Sequence, residues 1–169
     1  MEIKNKVIVV TGGSGGIGKA LAFNFIKENA KVVILLDINF DNFESKNNNL
    51  VTKICDVTNE KKLFRIIDEI NLEFGLIDIF CSNAGVFSLG NEQTSIEDWN
   101  KNWNLHVMSH VFVAKKLIPD MLKRGSGYFV NTSSAAGLLS HIDSATYSTT
   151  KHAAIGFAEW IAITYGKQG

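Results

Sequence analysis

Near the N-terminus, Val7-Ile8-Val9-Val10-Thr11-Gly12-Gly13-Ser14-Gly15-Gly16-Ile17-Gly18 joins an unbroken β-branched run to a glycine-rich turn. Such a run reads as a strand buried on both faces, which is the signature of a parallel sheet. Beyond the turn, Ile17, Leu21 and Phe25 recur at helical spacing, so a helix begins near Gly16. A strand that passes through glycines into a helix brings bare backbone up to a pair of phosphates, where any side chain would take the space. The helix start adds unpaired N–H groups and the positive end of its dipole. Gly12, Ser14, Gly16, Ile17 and Gly18 are therefore expected to bind a phosphate pair. The glycines fit two spacings, TGxxxGxG through Gly12, Gly16 and Gly18, and TGxxGxxG through Gly12, Gly15 and Gly18. The turn alone does not choose between them.

The same alternation of strand and helix continues along the chain. Strands are expected near Lys6–Thr11, Lys31–Leu36, Leu50–Ile54, Ile77–Cys81 and Gly127–Asn131. Helical periodicity links Leu63, Ile67 and Ile70, then Trp103, Val107, Val111 and Ala114, then Ala154, Phe157 and Ile161. Residues 39–49 carry little periodicity and read as a polar loop, and Pro119 predicts a bend or an early end in the helix that starts near Asp98. The pattern is α/β, with helices on both faces of a parallel sheet.

Composition narrows the function. The chain has 169 residues, 46% of them hydrophobic, which is enough for one domain with a real core. Seventeen basic side chains balance seventeen acidic ones, so no net positive field exists for nucleic acid or anionic lipid. Apolar runs are too short to cross a bilayer, and a soluble, cytoplasmic protein is expected. Cys55 and Cys81 each end an apolar run and read as reduced core residues. His106 and His110 stand four apart but have no adjacent third ligand, so no metal is expected, and both are assigned to the surface or an interface. His141 is placed to line a substrate pocket, and His152 is expected to point away from it.

Asp37 closes the second strand nineteen positions after Gly18, where a carboxylate accepts hydrogen bonds from ribose hydroxyls and repels a 2′-phosphate. Its neighbour Ile38 and the residue before Gly16, Gly15, carry no charge, so NAD is expected rather than NADP; Lys19 is the one feature that points the other way. Tyr147 and Lys151 stand four apart on one helix face. A tyrosine is a poor base at neutral pH, and a neighbouring ammonium favours its phenolate.

These elements together, Thr11-Gly-xxx-Gly-Ile-Gly18, Cys55-Asp56-Val57, Asn83-Ala84-Gly85, Asn104, Ser133-Ser134 with Gly137, and Tyr147-Ser-Thr-Thr-Lys151, resemble the short-chain dehydrogenase/reductase family. The resemblance runs from Lys6 to Gly169 and favours simple dehydrogenases over epimerases. It implies a Rossmann-like, doubly wound sheet of order 3-2-1-4-5. It also implies hydride transfer between NAD and a secondary alcohol or ketone. In that scheme Tyr147 is the general acid and base, Lys151 favours its phenolate and holds the nicotinamide ribose, and Ser134, rather than Ser133, bonds the substrate oxygen. Asn104 anchors a water next to Lys151. Asp56 and Val57 meet the adenine, unless Asp56 instead caps the following helix, and Asn83, Ala84 and Gly85 border the crevice. Ser82 replaces the family's usual asparagine, which puts a strand-bridging hydrogen bond in doubt. The family continues with a further strand and a substrate-covering segment, so these residues are expected to form a single dinucleotide-binding domain, incomplete at its C-terminus and lacking the last strands. Ala153, Ala154, Ala158 and Ala162 give one helix a small-residue face suited to a homo-oligomer. Two other functions fit parts of the pattern: a catalytically silent NAD-binding interaction module, and a nucleotide-sugar epimerase or dehydratase.

Overall fold

The computed structural model describes residues 2–41, 43, 45 and 47–169. Five strands, β1 (Val7–Thr11), β2 (Val32–Asp37), β3 (Leu50–Ile54), β4 (Ile79–Ser82) and β5 (Tyr128–Asn131), form one sheet in the order β3-β2-β1-β4-β5. Every pairing is parallel. The helices are α1 (Gly16–Lys27), α2 (Glu60–Phe74), α3 (Ile96–Trp103), α4 (Ser109–Arg124) and α5 (Ala145–Tyr165), with a π-helical turn, Asn104–Met108, joining α3 to α4. The order reverses between β1 and β4, so a crevice opens at the carboxyl ends of those strands.

Period-two alternation sorts the strand side chains onto the two faces. Val7, Val9, Ile34 and Leu36 pack with Leu63, Ile67 and Ile70 of α2 and with Val113, Leu117 and Met121 of α4. Ile8, Val10, Val33 and Leu35 pack on the other face with Ala22, Leu21 and Phe25 of α1. Both cysteines are free and buried. Burial pushes the Cys55 thiol up to about 11 and the Cys81 thiol up to about 12, so both stay protonated. No helix among the described residues is long and apolar enough to cross a membrane.

Two details depart from the sequence pattern. The fourth strand starts at Ile79 rather than Ile77, because Asp78 turns its carboxylate back to accept from Val7 N at 2.9 Å and from Lys6 Nζ at 3.3 Å. Helix α4 does not end at Pro119 but runs on to Arg124, since Leu117 and Met121 are buried on either side of the proline and hold the helix to the sheet. Gly125, with φ of 61°, then ends it in the left-handed conformation. Residues 39–49 contain no helix or strand at their described positions, and Asn42, Glu44 and Lys46, like Met1, lie outside the described residues.

Two side chains tie the strand ends at the crevice. The Thr11 hydroxyl accepts from the N–H groups of Asn83 and Ala84, both at 2.9 Å, and donates to the Cys81 carbonyl at 3.3 Å. Asn83 Nδ2 donates to the Thr11 carbonyl at 3.0 Å, while its Oδ1 accepts from Thr132 Oγ1 at 3.2 Å. The side chain of Ser82, the substituted position, contributes nothing to this bridging: its Oγ is buried without a partner among the described residues. Replacing Thr11 by the isosteric valine leaves two inward-facing N–H groups unpaired. Thr11→Val is expected to lower unfolding free energy by about 2–4 kcal/mol, read from the shift in urea midpoint.

Candidate active site

A cleft of about 440 Å³ lies along the crevice. The glycine turn forms one wall, and its glycines serve different ends. Gly12 has φ of 66°, and a Cβ there would stand 3.0 Å from the Cα of Ala84. A Cβ on Gly13 would meet Leu35, and one on Gly18 would collide with the Gly12 carbonyl, so these two serve close packing. A Cβ on Gly16 would meet nothing within 4 Å. That position borders the cleft, beside the N–H groups of the first turn of α1, which have no partner within the helix. The shape suits a phosphate pair. Ser14 and Ile17 border the same space.

Asp37 reaches across the turn. Its Oδ2 accepts from Ser14 N at 2.9 Å and Ser14 Oγ at 2.7 Å, and its Oδ1 accepts from Ile38 N at 2.7 Å. Asp56 and Val57 line the next part of the cleft. Asp56 Oδ1 is held by Thr58, whose N and Oγ1 donate at 2.9 and 2.7 Å. The cap of α2 is Asn59, which accepts from Lys62 N at 3.0 Å, so Asp56 does not serve as the helix cap.

At the far end stand Asn83, Ala84, Gly85, Tyr147 and Lys151. Lys151 is buried at 4% exposure and meets no carboxylate among the described residues. Its Nζ donates to the Thr132 carbonyl at 3.3 Å and lies 5.7 Å from the centre of the Tyr147 ring. Burial lowers its affinity for a proton. Ser133 borders the cleft but commits its hydroxyl to the Lys151 carbonyl at 3.1 Å. Ser134 stands just outside the cleft lining and accepts from Ala136 N at 3.2 Å, which leaves its own proton free to donate. His141 is exposed, with its ring 5.3 Å from that of Phe87, and Phe87 lies 5.1 Å from the ring of Tyr147. His152 is exposed on α5 and bonds the Ser148 carbonyl, outside the cleft.

Asn104 does not join this group. It is exposed at the start of the π turn, and its side chain has no hydrogen bond among the described residues. The histidines expected at the surface are instead buried, His106 at 0% and His110 at 4% exposure. Asn102, His106, His110 and Ala114, each four residues from the last, are all buried, together with Val107, Ser109 and Val113. The wide π turn carries that spacing and leaves Asn104 on the outer side. His106 contacts the Tyr147 ring edge-on at 5.5 Å. The four-residue spacing was the one sequence signal that could have found it.

The sequence matches the short chain dehydrogenase family over residues 6–169. The chain belongs to that family. Its similar proteins include an uncharacterised oxidoreductase of Thermotoga maritima, 33% identical, the match covering 100% of this chain and 69% of the relative. The meso-2,3-butanediol dehydrogenase of Serratia marcescens is 31% identical, with coverage of 100% and 69%. Among solved structures, the Thermoplasma acidophilum aldohexose dehydrogenase superposes with a TM-score of 0.90 at 34% identity, covering 98% of this chain and 64% of that one. The L-sorbose reductase of Gluconobacter frateurii, solved with NADPH and L-sorbose, gives a TM-score of 0.90 at 28% identity, with coverage of 99% and 68%. This short-chain dehydrogenase thus spans about two thirds of the length of these proteins. The family uses a nicotinamide cofactor, NAD or NADP, and its oxidoreductases act on small molecules.

Burial, and then the charge of Lys151, lower the pKa of His106 and of His110 from 6.5 to about 4. Well above pH 6.5 the rings are neutral in both folded and unfolded chains. As pH falls from 6.5 toward 4 the unfolded chain takes up protons that the folded one refuses, so stability is lost across that window. Urea midpoints are expected to fall steadily over this range, and the slope should be shallower in the double variant His106→Gln, His110→Gln.

Proposed function

We propose that this chain transfers hydride reversibly between NAD and a small secondary alcohol or its ketone, with Tyr147 as general acid and base. The observation that carries the reading is the single cleft shared by the glycine turn, Asp37, Tyr147 and a buried Lys151 with no carboxylate partner among the described residues. Bound at that cleft, NAD would supply the hydride acceptor.

The remaining chemistry belongs to the chain. Gly12, Ser14, Gly16, Ile17 and Gly18 hold the pyrophosphate, Asp37 the adenosine ribose, and Asp56 with Val57 the adenine. Asn83, Ala84 and Gly85 border the nicotinamide end. Tyr147 moves the proton to or from the substrate oxygen. Lys151 favours the phenolate and steadies the second ribose, and Ser134 donates its free proton to the substrate oxygen. Asp37 supports NAD over NADP, because a 2′-phosphate beside it would face a carboxylate. Lys19 does not offset this, as its ammonium lies 5.3 Å from the centre of the Phe43 ring. Of the small-residue face on α5, Ala154 is buried within the chain, while the half-exposed Ala153 and Ala158 and the exposed Ala162, with exposed Ile163, support self-association, and the absence of net charge and of long apolar runs supports a cytoplasmic protein.

Tyr147→Phe is expected to cut turnover by about 10²–10⁴-fold, measured as NADH formation over a panel of small secondary alcohols, with the NAD dissociation constant within about twofold of wild type. Saturable NAD binding with no NADH formed by the wild type would favour a silent binding module, and nucleotide-sugar conversion without net NADH an epimerase. In direct titrations NAD binds more tightly than NADP, and Asp37→Ser narrows the gap by roughly tenfold; a wild-type preference for NADP would overturn the cofactor choice.

A further inference from the structure

His106 is a buried titratable side chain that the reaction above leaves unused. Its hydrogen bonds define its state. The Val86 N–H donates to Nε2 at 3.1 Å, and a backbone N–H only donates, so Nε2 is bare and the ring proton sits on Nδ1. Nδ1–H then donates to Thr150 Oγ1 at 2.9 Å, and that hydroxyl spends its own proton on the Thr146 carbonyl at 2.8 Å. The two partners occupy telling places. Val86 follows Asn83-Ala84-Gly85 and lines the cleft. Thr150 lies on α5 between Tyr147 and Lys151, and its Oγ1 is also 3.2 Å from the Tyr147 carbonyl. The imidazole edge faces the Tyr147 ring, centre to centre 5.5 Å at 84°. Gly85 makes the approach possible, since a Cβ there would stand 3.4 Å from both His106 Nε2 and Lys151 Nζ.

We propose that His106 is a positioning residue: as a neutral Nδ1–H imidazole it clamps the cleft loop at Val86 to Thr150 of α5, and so sets Tyr147 and Lys151 against the wall where the cofactor lies. The role rests on the dinucleotide reading of the cleft. A histidine suits it because one side chain must accept on one side and donate on the other. An aliphatic residue would leave the Val86 N–H without a partner. A charged imidazole would oppose one N–H to another and add a second cation beside Lys151. The titratable groups that face the ring are Tyr147 and Lys151 of α5 and His110 of its own helix, and no carboxylate among the described residues stabilises a charge on it.

The tautomer can be read without any reaction. Two-bond ¹H–¹⁵N spectra of the ¹⁵N-labelled chain, with His106→Gln to identify the signals, are expected to show protonated Nδ1 and bare Nε2 from about pH 5 to about pH 8. The opposite tautomer, or a ring that charges near pH 6.5, overturns the clamp. A second arm measures NAD affinity. His106→Leu should weaken it roughly tenfold, and His106→Gln, which keeps one donor and one acceptor, should restore it to within about threefold of wild type. Leucine binding NAD as tightly as histidine, or glutamine no better than leucine, would also overturn it. Should His106→Leu fail to fold, hydrogen exchange of the Val86 amide in the wild type decides instead: protection is expected, and free exchange contradicts the bond. If the wild type binds no dinucleotide at all, the cofactor reading fails and takes the positioning role with it, whatever the tautomer.

Discussion

The Thr11 hydroxyl sits where three strand ends meet, and the geometry of the cleft depends on its hydrogen bonds. In a parallel sheet every carboxyl end emerges on one side, and at the point where strand order reverses the neighbouring loops diverge. Divergence makes room for a ligand but leaves backbone groups without ladder partners. Thr11 and Asn83 supply those partners, joining the end of β1 to the loop after β4 and, through Thr132, to the end of β5. The glycine turn follows Thr11, and Asn83, Ala84 and Gly85 line the other end of the cleft. The serines follow Thr132, whose carbonyl also takes the Lys151 ammonium. Small side chains at the crossing thus hold both the glycine turn and the end of the cleft where Tyr147 and Lys151 stand.

Charge is handled sparingly at the reacting end. Lys151 is a buried cation without a carboxylate partner among the described residues, and burial already disfavours its proton. Its field in turn helps to keep His106 and His110 neutral. Neutral neighbours leave the ammonium facing Tyr147 without competition from other cations. Were the histidines charged at neutral pH, three cations would crowd the same interior, at a desolvation cost that no nearby anion among the described residues offsets.

Much of this was legible in the sequence, for identifiable reasons. Runs such as Val7–Val10 permit few alternatives to a buried strand, and the glycine turn, Asp37 and the Tyr147–Lys151 spacing are local patterns whose geometry follows from a single element. What escaped depends on contacts between elements. The π turn at Asn104–Met108 breaks the 3.6-residue rule on which helical faces are assigned, and so Asn104 turned outward while His106 turned in. The early helix end that Pro119 allowed did not occur, because Leu117 and Met121 are buried on either side of it. Asp56 lost its capping alternative to Asn59, three residues on, a choice that the loop conformation makes and the spacing does not. His106 was missed because its interior partners are a backbone amide and a threonine distant in sequence, and His110 because it is buried with its Nδ1 unpartnered among the described residues.

The central claim is that one cleft holds a dinucleotide with its nicotinamide end at Tyr147 and Lys151. A crystal structure of this chain grown with NAD tests it most directly. The account predicts the pyrophosphate over the first turn of α1, the adenosine ribose at Asp37, and the nicotinamide ribose within hydrogen-bonding reach of Tyr147 and Lys151. Density for the dinucleotide elsewhere, or in the reverse orientation with adenine at Tyr147, would contradict it.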